Sequence, residues 1–178
     1  MARPRLTGVL LVGGASTRFG SPKALAQLDG ETLAERGWRL LGEACDERLA
    51  VGKSADGLEL PFELVDDGTE TRAALAGIVA GLRAASNDVV AVLPVDMPFV
   101  TAALLHELAD ACCDAAAPRG APLPAVFRRN ALPLLERRLA AGELALHGAL
   151  HELDAAEVET ESALLVNVNT TDELRSLG

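Results

Sequence analysis

LLVGGASTRFGSPK, residues 10–23, is an apolar stretch that continues into a glycine-rich loop and ends in a lysine. Gly13 and Gly14 are adjacent and follow five residues without charge, Gly8 to Val12. Because glycine has no Cβ, the backbone here can come within hydrogen-bonding distance of an anion. The spacing matches neither the G-x-x-x-x-G-K-[ST] phosphate loop nor the G-x-G-x-x-G dinucleotide motif. The pattern predicts a buried strand followed by a binding loop of another kind.

A short helix is predicted after this loop. Ser21 is a typical N-cap and Pro22 suits the first helical position, so Lys23 is expected in the first turn. A helix start offers free N–H groups and a positive dipole end to a phosphate, and Lys23 adds a full charge. Lys23 is one of only two lysines among 16 Lys and Arg residues. The alternative is a plain strand–turn–helix with glycines for close packing; we favour the phosphate site.

Length and composition indicate one domain, residues 1–178, of a soluble globular protein. The net charge of −10 argues against a nucleic-acid partner, because phosphates would be repelled. No apolar run approaches the roughly 20 residues of a membrane helix, so no membrane contact is expected. The short apolar run near the N-terminus is interpreted as a strand rather than a signal peptide, and we therefore expect a cytoplasmic protein.

Strand-like and helix-like stretches alternate at short intervals, which is typical of an α/β layered domain. A capping box is expected at Thr32 and Glu35, and an N-cap at Thr101. The predicted strands, in chain order, are Leu6–Val12, ERLAVG, PFELV, Val89–Val95, two short strands within APRGAPLPAVFRR, and LLVNVN. The predicted helices after Lys23 are DGETLAERGWRLLGEA, AALAGIVAGLRAAS, a helix after Thr101, Ala131–Ala141, Ala145–Leu153, and a final helix capped by Thr170 and Glu173.

Asp96 directly follows the most hydrophobic predicted strand, Val89–Val95. A lone carboxylate partly shielded from water at the end of a strand is costly. A divalent ion relieves that cost, and Mg²⁺ commonly takes one or two carboxylates together with substrate phosphates. Asp96 is therefore a candidate magnesium ligand; the alternative, an Asp that caps the turn DMPFVT, is equally consistent with the sequence.

The motif NVNTTDE near the C-terminus carries two amides. On a strand, Asn167 and Asn169 would point to the same face. Two amides at one strand end favour contacts to a ligand or to metal-bound water. Thr170 is accounted for by its predicted capping role.

Taken together, these motifs resemble the molybdenum cofactor guanylyltransferases, small nucleotidyltransferases with a Rossmann-like sheet. LLVGGASTRFGSPK is similar to their L-x-G-G-x-S-x-R-[MF]-G-x-x-K motif, LPVDMPFV to their strand-Asp-x-Pro motif and LLVNVNTTDEL to their C-terminal N-x-N-T-x-x-E-L. The opening motif alone indicates only the wider nucleotidyltransferase superfamily; the asparagine pair and the compact length narrow it. The resemblance spans nearly the whole chain and implies a three-layer, mostly parallel sheet flanked by helices.

The resemblance also implies roles for individual residues. Those expected to contact the guanine nucleotide through backbone groups are Leu11, Val12 and Gly13, and Gly14 is also expected to bind the nucleotide. Those expected at the reacting phosphates are Arg18, Lys23 and Asp96, with Asp96 as the Mg²⁺ ligand. Asp67 matches a nucleotide-contacting aspartate, with Asp66 as the alternative register, and Asn167 and Asn169 match a pair on the pterin side.

The sequence departs from the family pattern at several positions. Val12 replaces the usual Ala, and Gly52 stands where an Asn that contacts the nucleotide is usual. RAALAG lacks the usual Gly-Pro before its Leu, and Ala121 replaces a common His. These departures do not argue against a nucleotidyl transfer reaction, but they weaken the assignment of the exact substrate.

The implied reaction transfers GMP from GTP to the phosphate of molybdopterin, with release of pyrophosphate. Implied partners are GTP, molybdopterin and, transiently, proteins that deliver or receive the cofactor. Alternatives within enzymes are a CTP-dependent molybdopterin cytidylyltransferase and a sugar- or polyol-phosphate nucleotidyltransferase. An alternative of another class is a non-catalytic nucleotide-binding adaptor in cofactor assembly. The Gly13–Gly14 pair favours guanine over cytosine in the family pattern.

Overall fold

A computed structural model describes residues 4–13 and 22–176. The strands are β1 (Leu6–Leu11), β2 (Gln27–Leu28), β3 (Glu31–Thr32), β4 (Glu47–Gly52), β5 (Leu64–Asp66), β6 (Val89–Pro94), β7 (Ala115–Pro118), β8 (Ala125–Arg128) and β9 (Ala156–Val158). Within this part of the chain, seven of them form the main sheet in the order β5-β4-β1-β6-β8-β7-β9, and β2 pairs with β3. In the main sheet β8 alone is antiparallel to its neighbours, β6 and β7. The predicted mostly parallel sheet is confirmed.

The helices cover both faces of this sheet. They are α1 (Leu33–Ala44), α2 (Ala74–Ala84), α3 (Ala102–Ala111), α4 (Leu132–Ala140), α5 (Leu146–Glu152) and α6 (Thr171–Ser176). Side chains of α1 and α3 pack with one set of strand residues, and those of α2, α4 and α5 with the other. The three-layer arrangement is therefore confirmed. In the described ranges no helix has both the length and the apolar character needed to cross a membrane.

Two predicted helix starts are confirmed by their hydrogen bonds. The hydroxyl of Thr32 accepts from the backbone N–H of Glu35 at 3.1 Å, and the Glu35 carboxylate accepts in return from the N–H of Thr32 at 3.0 Å. Hydrogen bonds from the Thr32 side chain and backbone lower the pKa of Glu35. At α3, the Thr101 hydroxyl accepts from the N–H of Leu104 at 3.2 Å. The two capping residues therefore mark where α1 and α3 begin, as the sequence predicts.

The last predicted strand, LLVNVN, was wrong. Residues Ser162–Leu165 form a 3₁₀ turn, and no strand is assigned to the segment after it. The strand that completes the edge of the sheet is β9, Ala156–Val158, which pairs in parallel with β7. β9 is a three-residue edge strand with an exposed glutamate at its centre, so its sequence has little hydrophobic pattern that would predict a strand. Leu164 and Leu165 are hydrophobic enough to suggest a strand, but they pack on the core outside the sheet.

The helix predicted after the glycine-rich loop is a single 3₁₀ turn, Lys23–Leu25, with Pro22 at its N-cap position. Ser21, the predicted N-cap, lies outside the described residues. A three-residue turn aligns too few peptide dipoles to form an appreciable macrodipole. The dipole argument for this segment was therefore wrong, and the charge of Lys23 is what the segment contributes.

Two glycines of α2, Gly77 and Gly81, pack directly against side chains of β1. A Cβ added at Gly81 would lie 2.8 Å from both methyl groups of Val9, which is fully buried on β1. A Cβ at Gly77 would lie 2.8 Å from a methyl group of Leu11. Since valine is stiff about χ1, it cannot move aside at Gly81 without shifting the helix.

We expect Gly81→Ala to lower the free energy of unfolding, because overpacking costs about 1–3 kcal/mol and exceeds the roughly 1 kcal/mol gained in helix propensity. In a Val9→Ala background the methyl groups are gone, so the same change should raise stability. Urea unfolding of the two single variants and the double variant measures this coupling. Simple additivity of the two changes would contradict the proposed close contact.

Candidate functional site

A cleft with a volume of about 390 Å³ lies at the carboxyl ends of β1, β4 and β6. The strand order reverses there, because the chain adds β4 and β5 on one side of β1 and then crosses to add β6 on the other. In open α/β sheets ligands bind at such a switch point. The cleft is therefore where the fold predicts a substrate.

Parallel hydrogen bonds continue past the assigned strand ends and set the cleft walls. The N–H of Val12 donates to Val51 O at 3.0 Å, and the N–H of Val95 donates to Leu11 O at 3.0 Å. The N–H of Asp67 donates to Gly52 O at 2.9 Å. The residues that follow each strand are consequently fixed relative to one another, and side chains far apart in sequence face the same space.

Lys23, Asp96 and Asn169 come together at one end of the cleft. The Lys23 ammonium donates to Oδ2 of Asp96 at 3.2 Å and to Oδ1 of Asn169 at 3.1 Å. The Lys23 and Asp96 side chains retain 20% and 25% of their exposure, so water and ligands reach both. Three residues predicted as site residues, from three separate motifs, are thus adjacent.

The C-terminal segment is held to this end of the cleft by its backbone. Val168 is fully buried, and its N–H donates to the carbonyl oxygen of Asp96 at 2.8 Å. Asn167 lines the cleft and Asn169 contacts Lys23, although the segment is not the predicted strand. The Glu173 carboxylate accepts from the N–H groups of Asn169 and Thr170, as the predicted cap of α6 requires.

A second charged pair, Lys53 with Asp67, lies at the opposite end. The Lys53 ammonium donates to both carboxylate oxygens of Asp67, at 2.9 and 3.1 Å, and also to the carbonyl of Thr69. Their side chains are only 11% and 7% exposed. Both residues line the cleft.

The two aspartates of LVDDG have different surroundings. Asp66 is exposed and accepts from the N–H groups of Ser54 and Gly68, both at 2.7 Å, which lowers the pKa of its carboxyl. Asp67 faces the cleft instead. The register that the resemblance gave first, Asp67, is the one that lies at the cleft, whereas Asp66 closes the turn of its own loop.

A third pair, Arg72 with Asp56, completes the rim. The guanidinium of Arg72 donates to the two Asp56 oxygens at 2.7 and 3.3 Å, and this contact lowers the pKa of Asp56. Both residues line the cleft, where α2 begins. Three carboxylates of the cleft therefore each face a basic side chain.

Close backbone approach shapes the end of β1. Leu11, Val12 and Gly13 line the cleft. A Cβ added at Gly13 would lie 3.6 Å from the Cα of Gly52, and one added at Gly52 would lie only 3.0 Å from Cγ2 of Val12. The predicted site residues Gly14 and Arg18 lie outside the described residues.

Sequence reasoning missed Lys53, Asp56 and Arg72. A signal for Lys53 was present, since it is the second lysine of the chain and directly follows the strand ERLAVG, as Asp96 follows its own strand. Asp56 ends a short 3₁₀ turn and Arg72 lies in a loop, so the approach of the two side chains depends on the path of the chain and no local pattern predicts it.

The oxygen ligands available at Asp96 suit a metal ion that is bound by the protein and the substrate together. Within residues 4–13 and 22–176 no cluster of three or more His, Cys, Asp or Glu side chains could hold a metal by itself. Asp96 offers one accessible carboxylate at the cleft, beside the amide of Asn169. This donor set fits an ion that takes most of its ligands from phosphates and water, as Mg²⁺ does.

A family model described as "MobA-like NTP transferase domain" matches residues 8–157, which include the ends of β1, β4 and β6. The chain belongs to this family. The MobA-like chain is accordingly a nucleotidyltransferase. It is 36% identical to a protein of Chloroflexus aggregans named "Probable molybdenum cofactor guanylyltransferase", over 96% of this chain and 92% of that relative. It is 35% identical to the "Molybdenum cofactor guanylyltransferase" of Burkholderia ambifaria, over 98% and 96%.

Two solved structures of nucleotidyltransferase-type proteins have the same fold as this chain. The molybdopterin-guanine dinucleotide biosynthesis protein A of Archaeoglobus fulgidus superposes with a TM-score of 0.82 at 27% identity, over 96% of both chains. The 2-C-methyl-D-erythritol 4-phosphate cytidylyltransferase of Thermus thermophilus gives a TM-score of 0.72 at 23% identity, over 96% of both chains, and shares the fold alone. The predicted nucleotidyltransferase fold is confirmed.

We expect Lys23→Met to weaken triphosphate binding by at least about tenfold, because hydrogen bonds from a charged donor contribute more than neutral ones. The free energy of unfolding should change by less than about 1 kcal/mol, since the pair with Asp96 is partly exposed. Calorimetric titration with GTP and thermal unfolding measure the two effects. Arg119→Met, which removes an exposed ion-paired cation, is the control. Early melting with unchanged affinity would contradict the predicted role.

Proposed function

We propose that this protein transfers a guanylyl group from GTP to the terminal phosphate of molybdopterin and releases pyrophosphate. The observation that carries the proposal is the convergence of Lys23, Asp96 and Asn169 at the end of β1. The names of the relatives and of the Archaeoglobus structure support the same reaction.

The proposed nucleotide lies along the carboxyl end of β1. The backbone of Leu11, Val12 and Gly13 forms this wall, and the absence of a side chain at Gly13 leaves its N–H and carbonyl accessible. Asp67 lines the same cleft from the end of β5, which is separated from β1 by β4. In this arrangement the nucleoside occupies the side of the cleft near Asp67, and the phosphates extend towards Lys23.

The proposed chemistry is an in-line substitution at the α-phosphorus. An oxygen of the molybdopterin phosphate forms a bond to that phosphorus, and the bond to the bridging oxygen of the β-phosphate breaks, so that pyrophosphate leaves with the electron pair. The ammonium of Lys23 holds the phosphates and offsets the charge that develops on them. We propose Arg18 for the same task on the loop before Lys23.

We propose Mg²⁺ as the metal and Asp96 as its protein ligand. When bound, the ion supplies positive charge that neutralises the phosphates and the leaving pyrophosphate. Asp96 would hold the ion, and Lys23, which contacts Oδ2 of Asp96, would exchange that partner for phosphate oxygens when substrate binds. A single carboxylate beside an amide is sufficient because the substrate provides the remaining ligands.

We assign the part of the cleft next to the C-terminal segment to molybdopterin, which accepts the guanylyl group. Asn167 lines the cleft and Asn169 reaches it through Lys23. Apolar side chains also line it, including Met97, Leu123 and Leu165. Amides next to apolar surface suit a planar heterocycle that carries hydrogen-bonding edges, which is why we assign this side to the pterin.

The wider proposal retains the remaining expectations from the sequence. The functional unit is one domain, residues 1–178, acting in the cytoplasm, with transient contacts to proteins that deliver or receive the cofactor. CTP-dependent transfer to molybdopterin and transfer to a sugar or polyol phosphate are the alternative enzymatic functions. A non-catalytic nucleotide-binding adaptor is the alternative of another class, and the presence of Lys23 and Asp96 together at one site speaks against it.

We expect GTP to bind more tightly than CTP or ATP, and molybdopterin with GTP and Mg²⁺ to release pyrophosphate. Titration with each triphosphate and a pyrophosphate assay with each as substrate make the test. Preference for CTP would favour the cytidylyltransferase alternative. Tight GTP binding without any pyrophosphate release would favour the adaptor.

We expect Asp96→Asn to fold normally and to lower turnover by a factor of about 10² or more, because one electrostatic contribution at the transition state is lost. The matched control is Asp88→Asn, which removes a carboxylate from the opposite end of β6, where it pairs with Arg128 at 3.1 Å. The control should keep its rate. Near-normal turnover of Asp96→Asn would identify Asp96 as a turn residue and place the metal elsewhere.

A further inference from the structure

Lys53 and Thr7 are the only two polar or charged residues that are buried in the described part of the chain, and Lys53 as a whole residue is 9% exposed. It directly follows β4 and lines the cleft. Burying an ammonium is unfavourable unless its donors are satisfied, so its position requires an explanation from its contacts.

The Lys53 ammonium donates to the Asp67 carboxylate and to the carbonyl oxygen of Thr69. An ammonium has three diverging N–H groups and no acceptor, and the two oxygens of one carboxylate lie too close together for each to receive its own N–H, so they share one. Within the described residues, the side-chain hydrogen bonds of Lys53 go to Asp67 and to the loop that follows it. Lys53 therefore fixes Asp67 relative to that loop.

Asp67, by contrast, keeps one accepting position. A carboxylate offers about four lone-pair positions. Oδ1 accepts from Lys53 and from the N–H of Thr69 at 3.2 Å, whereas within residues 4–13 and 22–176 the other oxygen, Oδ2, accepts from Lys53 alone. The remaining position is on Oδ2, in a side chain that lines the cleft.

We propose that Lys53 is a positioning residue for nucleotide recognition: it holds the Asp67 carboxylate so that Oδ2 accepts one hydrogen bond from the nucleoside. This inference rests on the proposed function in taking GTP as the nucleotide. The matching donors are the 2-amino group of guanine or a ribose hydroxyl. The loop bond to Thr69 fixes the same orientation from the other side.

Charge supports this role. Within the described cleft, Asp56, Asp67 and Asp96 each face a cation, so none adds an uncompensated negative charge where a triphosphate must bind. In a chain of net charge −10, an unpaired Asp67 would repel that ligand. Lys53 thus lets a carboxylate take part in recognition of an anionic substrate.

The test compares Lys53→Met, Asp67→Asn and the double variant. Each is titrated with GTP, ITP (which lacks the 2-amino group), 2′-deoxyGTP and 3′-deoxyGTP. We expect the Kd for GTP to rise about tenfold or more in Lys53→Met. We also expect the preference for GTP over one of the analogues, the one lacking the donor, to fall towards unity in all three variants. The analogue affected identifies the donor.

Stability separates positioning from a purely structural role. Each single variant leaves a buried group without its charged partner and should melt earlier, whereas the double variant replaces both charges and should regain stability. Its nucleotide discrimination should stay lost, with a Kd no weaker than that of the worse single variant. Arg83→Met, which breaks the exposed pair with Glu136 away from the cleft, is the control and should bind as wild type.

Two outcomes would overturn the inference. The first is a folded Lys53→Met or double variant whose preference among the four nucleotides equals that of wild type. The second is a wild-type protein that binds GTP tightly yet does not distinguish it from any of the three analogues. Failure of the proposed function is recognised separately, because wild type would then prefer another triphosphate, such as CTP, before any variant is compared.

Discussion

The parallel hydrogen bonds on both sides of β1 hold the ends of β4 and β6 at the same edge of the sheet. Val12 donates to the β4 side, and Val95 donates to β1 from the β6 side. Without this double pairing, Lys53 and Asp96 would have no fixed relation. Because β1 is buried along its whole length, its position cannot shift without disrupting both cores. The cleft therefore inherits the rigidity of the central strand.

Small residues at the end of β1 are the second consequence of this pairing. The backbone of Gly13 approaches that of Gly52, and a Cβ at Gly52 would press on Val12. The two departures from the family pattern at residues 12 and 52 are thus in contact with each other, because the larger side chain at Val12 occupies the space that a residue at 52 would need. Gly52 offers no polar side chain to the cleft, whereas the next residue of the chain, Lys53, does.

The acidic side chains of the described cleft are all paired with basic ones. Each aspartate that lines it has a basic partner, and the partners come from other segments: the turn after the glycine-rich loop, the end of β4, and the loop before α2. Burial makes an unpaired carboxylate costly, and a triphosphate makes it more so. The pairing allows acidic side chains to orient a metal or a nucleoside in a cleft that accepts an anion.

The sequence by itself determined the α/β class, most of the helices and strands, the caps at Thr32 and Thr101, and the candidates Lys23, Asp96, Asn167 and Asn169, because periodicity and capping are local properties of the chain. It failed at β9 and at LLVNVN, since an edge strand depends on a neighbour that is distant in sequence. Only the tertiary structure decided that Lys23 contacts both Asp96 and Asn169, and that Lys53 is buried against Asp67. Those contacts join residues 14 to 146 positions apart, and no local pattern encodes the strand order that brings them together.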